Sequence, residues 1–156
     1  MNYQDVFDIV TSVEGDVDTK VDAVRTEYPS LTFIGNGVHR IVFQSSSDSV
    51  VKIPSDQSHV VYNQRELCNY KSLCGTRFES WLAPIHVSSS SSEYIVMDSV
   101  DMSVNCEQKV TANITQAFVE IETGLDNFGY HDTQGAVAVD YTVPIQKSYR
   151  CGSYPN

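Results

Sequence analysis

Gly35-Asn36-Gly37-Val38-His39-Arg40-Ile41-Val42-Phe43, then Val50-Val51-Lys52-Ile53-Pro54, then Tyr62-Asn63-Gln64-Arg65-Glu66-Leu67, is the stretch on which the fold turns. The first segment sets two glycines between runs of β-branched and aromatic residues, a strand–turn–strand pattern. Gly35 and Gly37 let the backbone approach a bulky anion with no Cβ in the way, and the N–H groups of such a turn can face phosphate. By itself a Gly-x-Gly hairpin is most often only a turn. In the second segment Lys52 alternates with Val51 and Ile53, so on a strand it points the opposite way, under the glycine turn. Taken alone it reads equally well as an edge-strand lysine facing water. In the third, Glu66 shares a helical face with Tyr62, Tyr70 and Leu73, so that face turns inward. A buried carboxylate needs a partner, and Lys52 is the available one.

Outward from this stretch the pattern is consistent. Val6, Phe7, Ile9, Val10 and Val13, then Val17, Val21 and Val24, fall at helical spacing, with Gly15 dividing two short helices. β-rich runs follow at Leu31–Ile34, Val38–Gln44 and Val50–Ile53. A helix is expected over His59–Cys74, its apolar side Tyr62, Leu67, Tyr70 and Leu73, with Gly75 as its stop. Strands at Ala83–Val87 and Tyr94–Met97 flank a serine run, Ser88–Ser92, expected to be a flexible hairpin turn, with phosphorylation as the minor use. A helix over Cys106–Glu122 comes next, then a hairpin over Phe128–Gly135 and a buried strand Ala136–Val139. Asn127 and Asp140-Tyr141-Thr142 flank that hairpin. An amide and a carboxylate so joined can chelate one hard cation, as Mg²⁺ held with phosphates requires. The expected class is α+β: an antiparallel five-stranded sheet around one inserted helix.

Composition limits the partners. The chain has 156 residues, 41% of them hydrophobic, enough for one core-bearing domain. Its 20 acidic against 10 basic residues give a net charge of −10, and no basic stripe is present. Direct nucleic-acid binding is therefore not expected, while docking on a basic protein surface is open. No apolar run approaches the ~20 residues that span a bilayer, so no membrane role is expected, and Met1-Asn2-Tyr3-Gln4-Asp5 does not read as a signal peptide. The expected location is cytoplasmic, with Cys68, Cys74, Cys106 and Cys151 as reduced, buried thiols.

Gly35-x-Gly37-x-x-Arg40-x-Val42-Phe43, Val51-Lys52, Asn63-x-x-Glu66, Asn127-Phe128-Gly129 and Asp140-Tyr141, in this order and spacing, resemble the protein-kinase superfamily. More narrowly they resemble the abbreviated kinase-like proteins of tailed bacteriophages and archaeal viruses. The resemblance covers about Phe33 to Thr142. It implies a protein-kinase-like small lobe, the five-stranded sheet with its helix αC, followed by a truncated second lobe. N-terminal helices would take residues 1–30, the small lobe 31–101, a remnant of the large lobe 102–142 and a tail 143–156. Gly35 and Gly37 would form the phosphate loop, Lys52 the strand lysine held by Glu66, and Met97–Asp101 the hinge beside adenine. Asn127 and Asp140 would hold Mg²⁺, with ATP as the nucleotide.

The departures point away from peptide phosphorylation. The catalytic aspartate belongs five residues before Asn127, where Glu122 stands, after Glu120-Ile121. One extra methylene displaces the base by roughly 1 Å, enough to cost about 10²-fold. Thr142 replaces the last glycine of the Asp-Phe-Gly pattern, only fourteen residues follow it, and no Ala-Pro-Glu sequence is present. The resemblance thus implies a pseudokinase of viral type that binds a host factor, such as a host-defence complex, or a homodimer mate. The alternative is a minimal ATP·Mg-dependent phosphotransferase. Tyr141, Val143, Ile145, Tyr149 and Tyr154 are the expected members of an exposed apolar face, unless the tail folds back and seals it.

Overall fold

Asn2 and Asp16 start the first two helices by capping them. The Asn2 side chain accepts from the Gln4 amide ahead of α1 (Tyr3–Ser12), and Asp16 accepts from the Thr19 amide ahead of α2 (Val17–Glu27). Each satisfies an N–H that the first helical turn leaves without a partner. The Thr19 hydroxyl and amide also hold the Asp16 carboxyl below its ordinary value. These elements belong to a computed structural model that describes residues 1–114 and 127–142. The chain divides into two units, Met1–Gln64 with Ile85–Ser99, and Arg65–Pro84 with the chain from Val100 onward.

In the first unit five strands, β1 (Thr32–Asn36), β2 (Arg40–Ser46), β3 (Ser49–Pro54), β4 (Ile85–Ser88) and β5 (Ile95–Asp98), form one antiparallel sheet in the order β1-β2-β3-β5-β4. Side chains alternate between its faces. Ile41, Phe43, Val51, Ile53 and Val96 point to one face and pack with Val6, Phe7, Val10, Val21 and Val24 of α1 and α2 in a single core. Val42, Lys52 and Ile95 are cross-strand partners in one row and therefore lie on the opposite face. Helix α3 (Val60–Leu73) is inserted between β3 and β4. Sheet order and inserted helix together give the α+β arrangement, a five-stranded antiparallel sheet with one inserted helix, that the sequence leads us to expect.

The inward side of α3 differs from the expected apolar stripe. Its buried members are Val60, Asn63, Glu66, Asn69 and Leu73, whereas Tyr62, Leu67 and Tyr70 are only half-buried. Two of the polar residues find backbone carbonyls in their own units: Asn63 Nδ2 donates to Lys52 O at 3.3 Å, and Asn69 Nδ2 donates to Tyr141 O. Those bonds offset the desolvation that would otherwise turn the amides outward. Past Leu73 the chain leaves the helix through Gly75 at φ +75°, a left-handed position that glycine adopts without strain.

The second unit gathers α4 (Glu107–Ile114) and a hairpin of β6 (Phe128–His131) and β7 (Gly135–Ala138). Asp101 extends the hairpin on one side through paired backbone bonds to Tyr130 of 2.8 and 2.9 Å, and Ala83 N donates to Ala138 O at 2.9 Å on the other. Gly129 sits under the Asp101 segment. A Cβ there would meet Val100 Cγ2 at 2.5 Å, Met102 Sδ at 3.0 Å and the Asp101 carbonyl at 3.2 Å. The carbonyl is fixed by its bond to Tyr130, so the strain has little room to relax. Gly129→Ala should cost about 1–3 kcal/mol, read from the urea midpoint; a loss under ~0.5 kcal/mol would refute the close approach.

Ser88–Ser92 is a hydrogen-bonded turn, with Ser92 N donating to Ser89 O at 3.1 Å and Glu93 N to Ser89 Oγ at 2.7 Å. Ser92 takes φ 63°, a left-handed position within the turn. The cysteines are not uniformly buried: Cys106 is, Cys68 is half-buried and Cys74 is exposed. Partial desolvation of the sulfur, with Glu79 nearby, pushes the Cys74 thiol up and leaves it a poor nucleophile. Cys151 lies outside the described residues. The expected helix over Cys106–Glu122 is described only to Ile114.

Candidate functional site

The glycine hairpin is closed by Gly37 N donating to Arg40 O at 3.0 Å, which leaves Val38 and His39 at the tip. Val38 is 83% exposed, so the strand expected to begin there starts instead at Arg40. A Cβ on Gly35 or Gly37 would meet nothing within 4 Å, and neither residue has positive φ. The chain's own packing therefore gives no reason for glycine at either position; what the missing side chains provide is open space along the backbone.

The hairpin tip is tied down by a cluster the sequence did not reveal. The His39 ring stacks on Tyr62, with centroids 3.7 Å apart and planes 11° apart, and meets His59 edge-on at 4.7 Å. Ser55 N donates to His39 O at 2.9 Å, and Ser55 Oγ lies 3.0 Å from His59 Nδ1. Within this unit Lys52 occupies the central strand at 6% exposure, which removes the reading of a solvent-facing edge lysine.

In the second unit Glu66 is 0% exposed on α3. Neither Lys52 nor Glu66 is without a polar or electrostatic partner. Asn127 and Asp140 stand at the open end of the β6–β7 hairpin. Its register, Phe128 opposite Ala138, continues outward to Asn127 O accepting from Val139 N at 2.9 Å. The hairpin so brings the amide-bearing and carboxylate-bearing backbone positions together, and both residues are half-buried. Tyr141, expected in an exposed apolar face, is 0% exposed. Its hydroxyl donates to Ala83 O at 2.9 Å, and its ring lies 6.4 Å from that of Tyr70. A phenol that reaches a buried carbonyl is held in the interior. Glu122, Val143, Ile145, Tyr149 and Tyr154 lie outside the described residues.

Among the described residues no three His, Cys, Asp or Glu side chains gather as a metal cage. Mg²⁺ does not require one, since it binds through one or two protein oxygens and completes its shell with phosphate and water. Asn127 and Asp140 each carry such an oxygen, at backbone positions that the β6–β7 hairpin brings together. Asp101, on the segment after Ser99, has its carboxyl held below the ordinary value by the Ser103 hydroxyl and amide, so it is ionised at neutral pH.

No family model and no curated protein matches the chain. Among solved structures, the ternary complex of streptomycin, ATP and APH(2″)-IIa matches at a TM-score of 0.43 and 14% identity, over 73% of this chain and 43% of that chain. The chain thus spans less than half the length of that neighbour. No helix among the described residues is long and apolar enough to cross a membrane.

Proposed function

We propose that the chain is a kinase-like protein that binds ATP with Mg²⁺ and acts through a protein partner, without phosphorylating peptides. The observation that carries this reading is a lysine at 6% exposure and a glutamate at 0%, set in the small-lobe order. Lysine and glutamate are almost never so buried unless paired. The sequence order, Lys52 on a strand and Glu66 on the helix that follows it, supports Glu66 as the proposed partner of the Lys52 ammonium. In the proposed site Lys52 meets the phosphates, Glu66 keeps it extended, the Gly35–Gly37 backbone lines the phosphate chain, and Asn127 and Asp140 hold the cation. The bound ion would neutralise phosphate charge.

The partner reading follows from the charge of −10 and from Glu122 in place of the usual base. The likeness to abbreviated viral kinase-like proteins makes a host factor, including a host-defence complex, the partner class, with a homodimer mate as the other. The Asn127–Asp140 arrangement favours one second reading, an ATP·Mg-dependent phosphotransferase on a small or local target. Labelled ATP separates the two. The purified chain should transfer no phosphate to casein or to a basic protein. Brisk labelling that disappears in Asp140→Asn would replace the partner reading with the enzymatic one.

A further inference from the structure

Asp140 sits between two pinned peptides of the second unit. On its N-terminal side Val139 N donates to Asn127 O at 2.9 Å. On its C-terminal side the Tyr141 carbonyl accepts from Asn69 Nδ2, and the Tyr141 hydroxyl donates to Ala83 O at 2.9 Å. Ala83 is itself fixed, its N–H donating to Ala138 O at 2.9 Å. The Tyr70 ring lies 6.4 Å from the Tyr141 ring at an interplanar angle of 28°. Asn69 and Tyr141 are both fully buried.

We infer that Asn69 and the Tyr141 hydroxyl are positioning residues for Asp140, locking its peptide in one orientation so that the carboxylate is presented to a nucleotide-bound cation without rearrangement. This rests on the ATP·Mg²⁺ reading above. A buried asparagine on a packed helix face is costly unless its amide is used, and Asn69 uses it on the residue next to the carboxylate. The hydroxyl makes the second tie, and a phenylalanine at position 141 could not make it. Two bonds from one residue, to a helix and to a loop, leave that residue no second orientation that keeps both. Thr142 fits the same arrangement, because a locked segment does not need the backbone freedom of glycine.

The test is calorimetric titration of ATP with Mg²⁺ and with EDTA into the full chain, Asn69→Ala and Tyr141→Phe. Supporting groups around metal ligands typically contribute roughly 10–100-fold in metal affinity. Each variant should lose about that much of the Mg²⁺-dependent gain in ATP affinity while its metal-free affinity stays unchanged. A purely structural role would weaken both affinities together or lower only the thermal midpoint, and either result overturns the inference. So does a full Mg²⁺-dependent gain in both variants. If Asn69→Ala does not fold, Tyr141→Phe, which keeps the ring, decides alone. Absence of any Mg²⁺-dependent gain in the parent chain overturns the ATP·Mg²⁺ reading itself, and the inference with it.

Discussion

Glu66→Ala should lose about 3–5 kcal/mol of folding stability, the usual cost of removing one partner from a buried ion pair, if Glu66 and Lys52 pair as proposed. Glu66 is wholly excluded from solvent, so water cannot replace the missing carboxylate. The Lys52 ammonium, at 6% exposure, would be left without its proposed countercharge. Replacing both residues with apolar side chains of similar size, as in Lys52→Met with Glu66→Leu, should cost far less than the two single changes added together. Urea unfolding of the four proteins gives the coupling directly. A Glu66→Ala loss below ~1 kcal/mol, or simple additivity, would separate Glu66 from Lys52.

Lys52→Ala should abolish nucleotide-dependent stabilisation. A ligand that binds only the folded state at ~100 times its Kd adds about 2.7 kcal/mol, and Lys52 is the proposed cation on its phosphates. The parent chain should therefore melt at higher temperature with ATP and Mg²⁺, and the variant should show no shift. The control is the midpoint without nucleotide, which reports the intrinsic cost of the substitution. An equal shift in both proteins would exclude Lys52 from the site.

The sheet was legible because strand alternation and turn residues act locally. Gly35 to Gly37, the β-branched run into Phe43 and the alternation around Lys52 each fix geometry over a few residues, and the observed register repeats them. The inner face of α3 was less legible. Glu66 and Leu73 are buried as their spacing suggested, but Tyr62, Leu67 and Tyr70 are only half-buried, and Asn63 and Asn69 are buried in their stead. What decides that face is the supply of backbone carbonyls, at Lys52 and Tyr141, and a periodicity argument does not contain it. The spacing of Asn63, Glu66 and Asn69, three residues apart with Leu73 beyond, was the available signal. Tyr141 was misread as interface for the same reason, since a tyrosine pattern does not reveal that its hydroxyl ends on Ala83. The stack of His39 on Tyr62 joins residues 39 and 62 through ring geometry alone and left no trace in local sequence.

If, as proposed, the Gly35–Gly37 hairpin and Lys52 hold nucleotide phosphates, with Mg²⁺ at Asn127 and Asp140, the chain must bind ATP. Titrating ATP into the full chain in a calorimeter, with Mg²⁺ and then with EDTA, tests it most directly. The expected result is saturable binding of one ATP per chain, strengthened by Mg²⁺ and lost in Lys52→Ala. No binding of ATP or any other purine nucleotide, with or without the metal, would contradict it and leave only the protein-binding role.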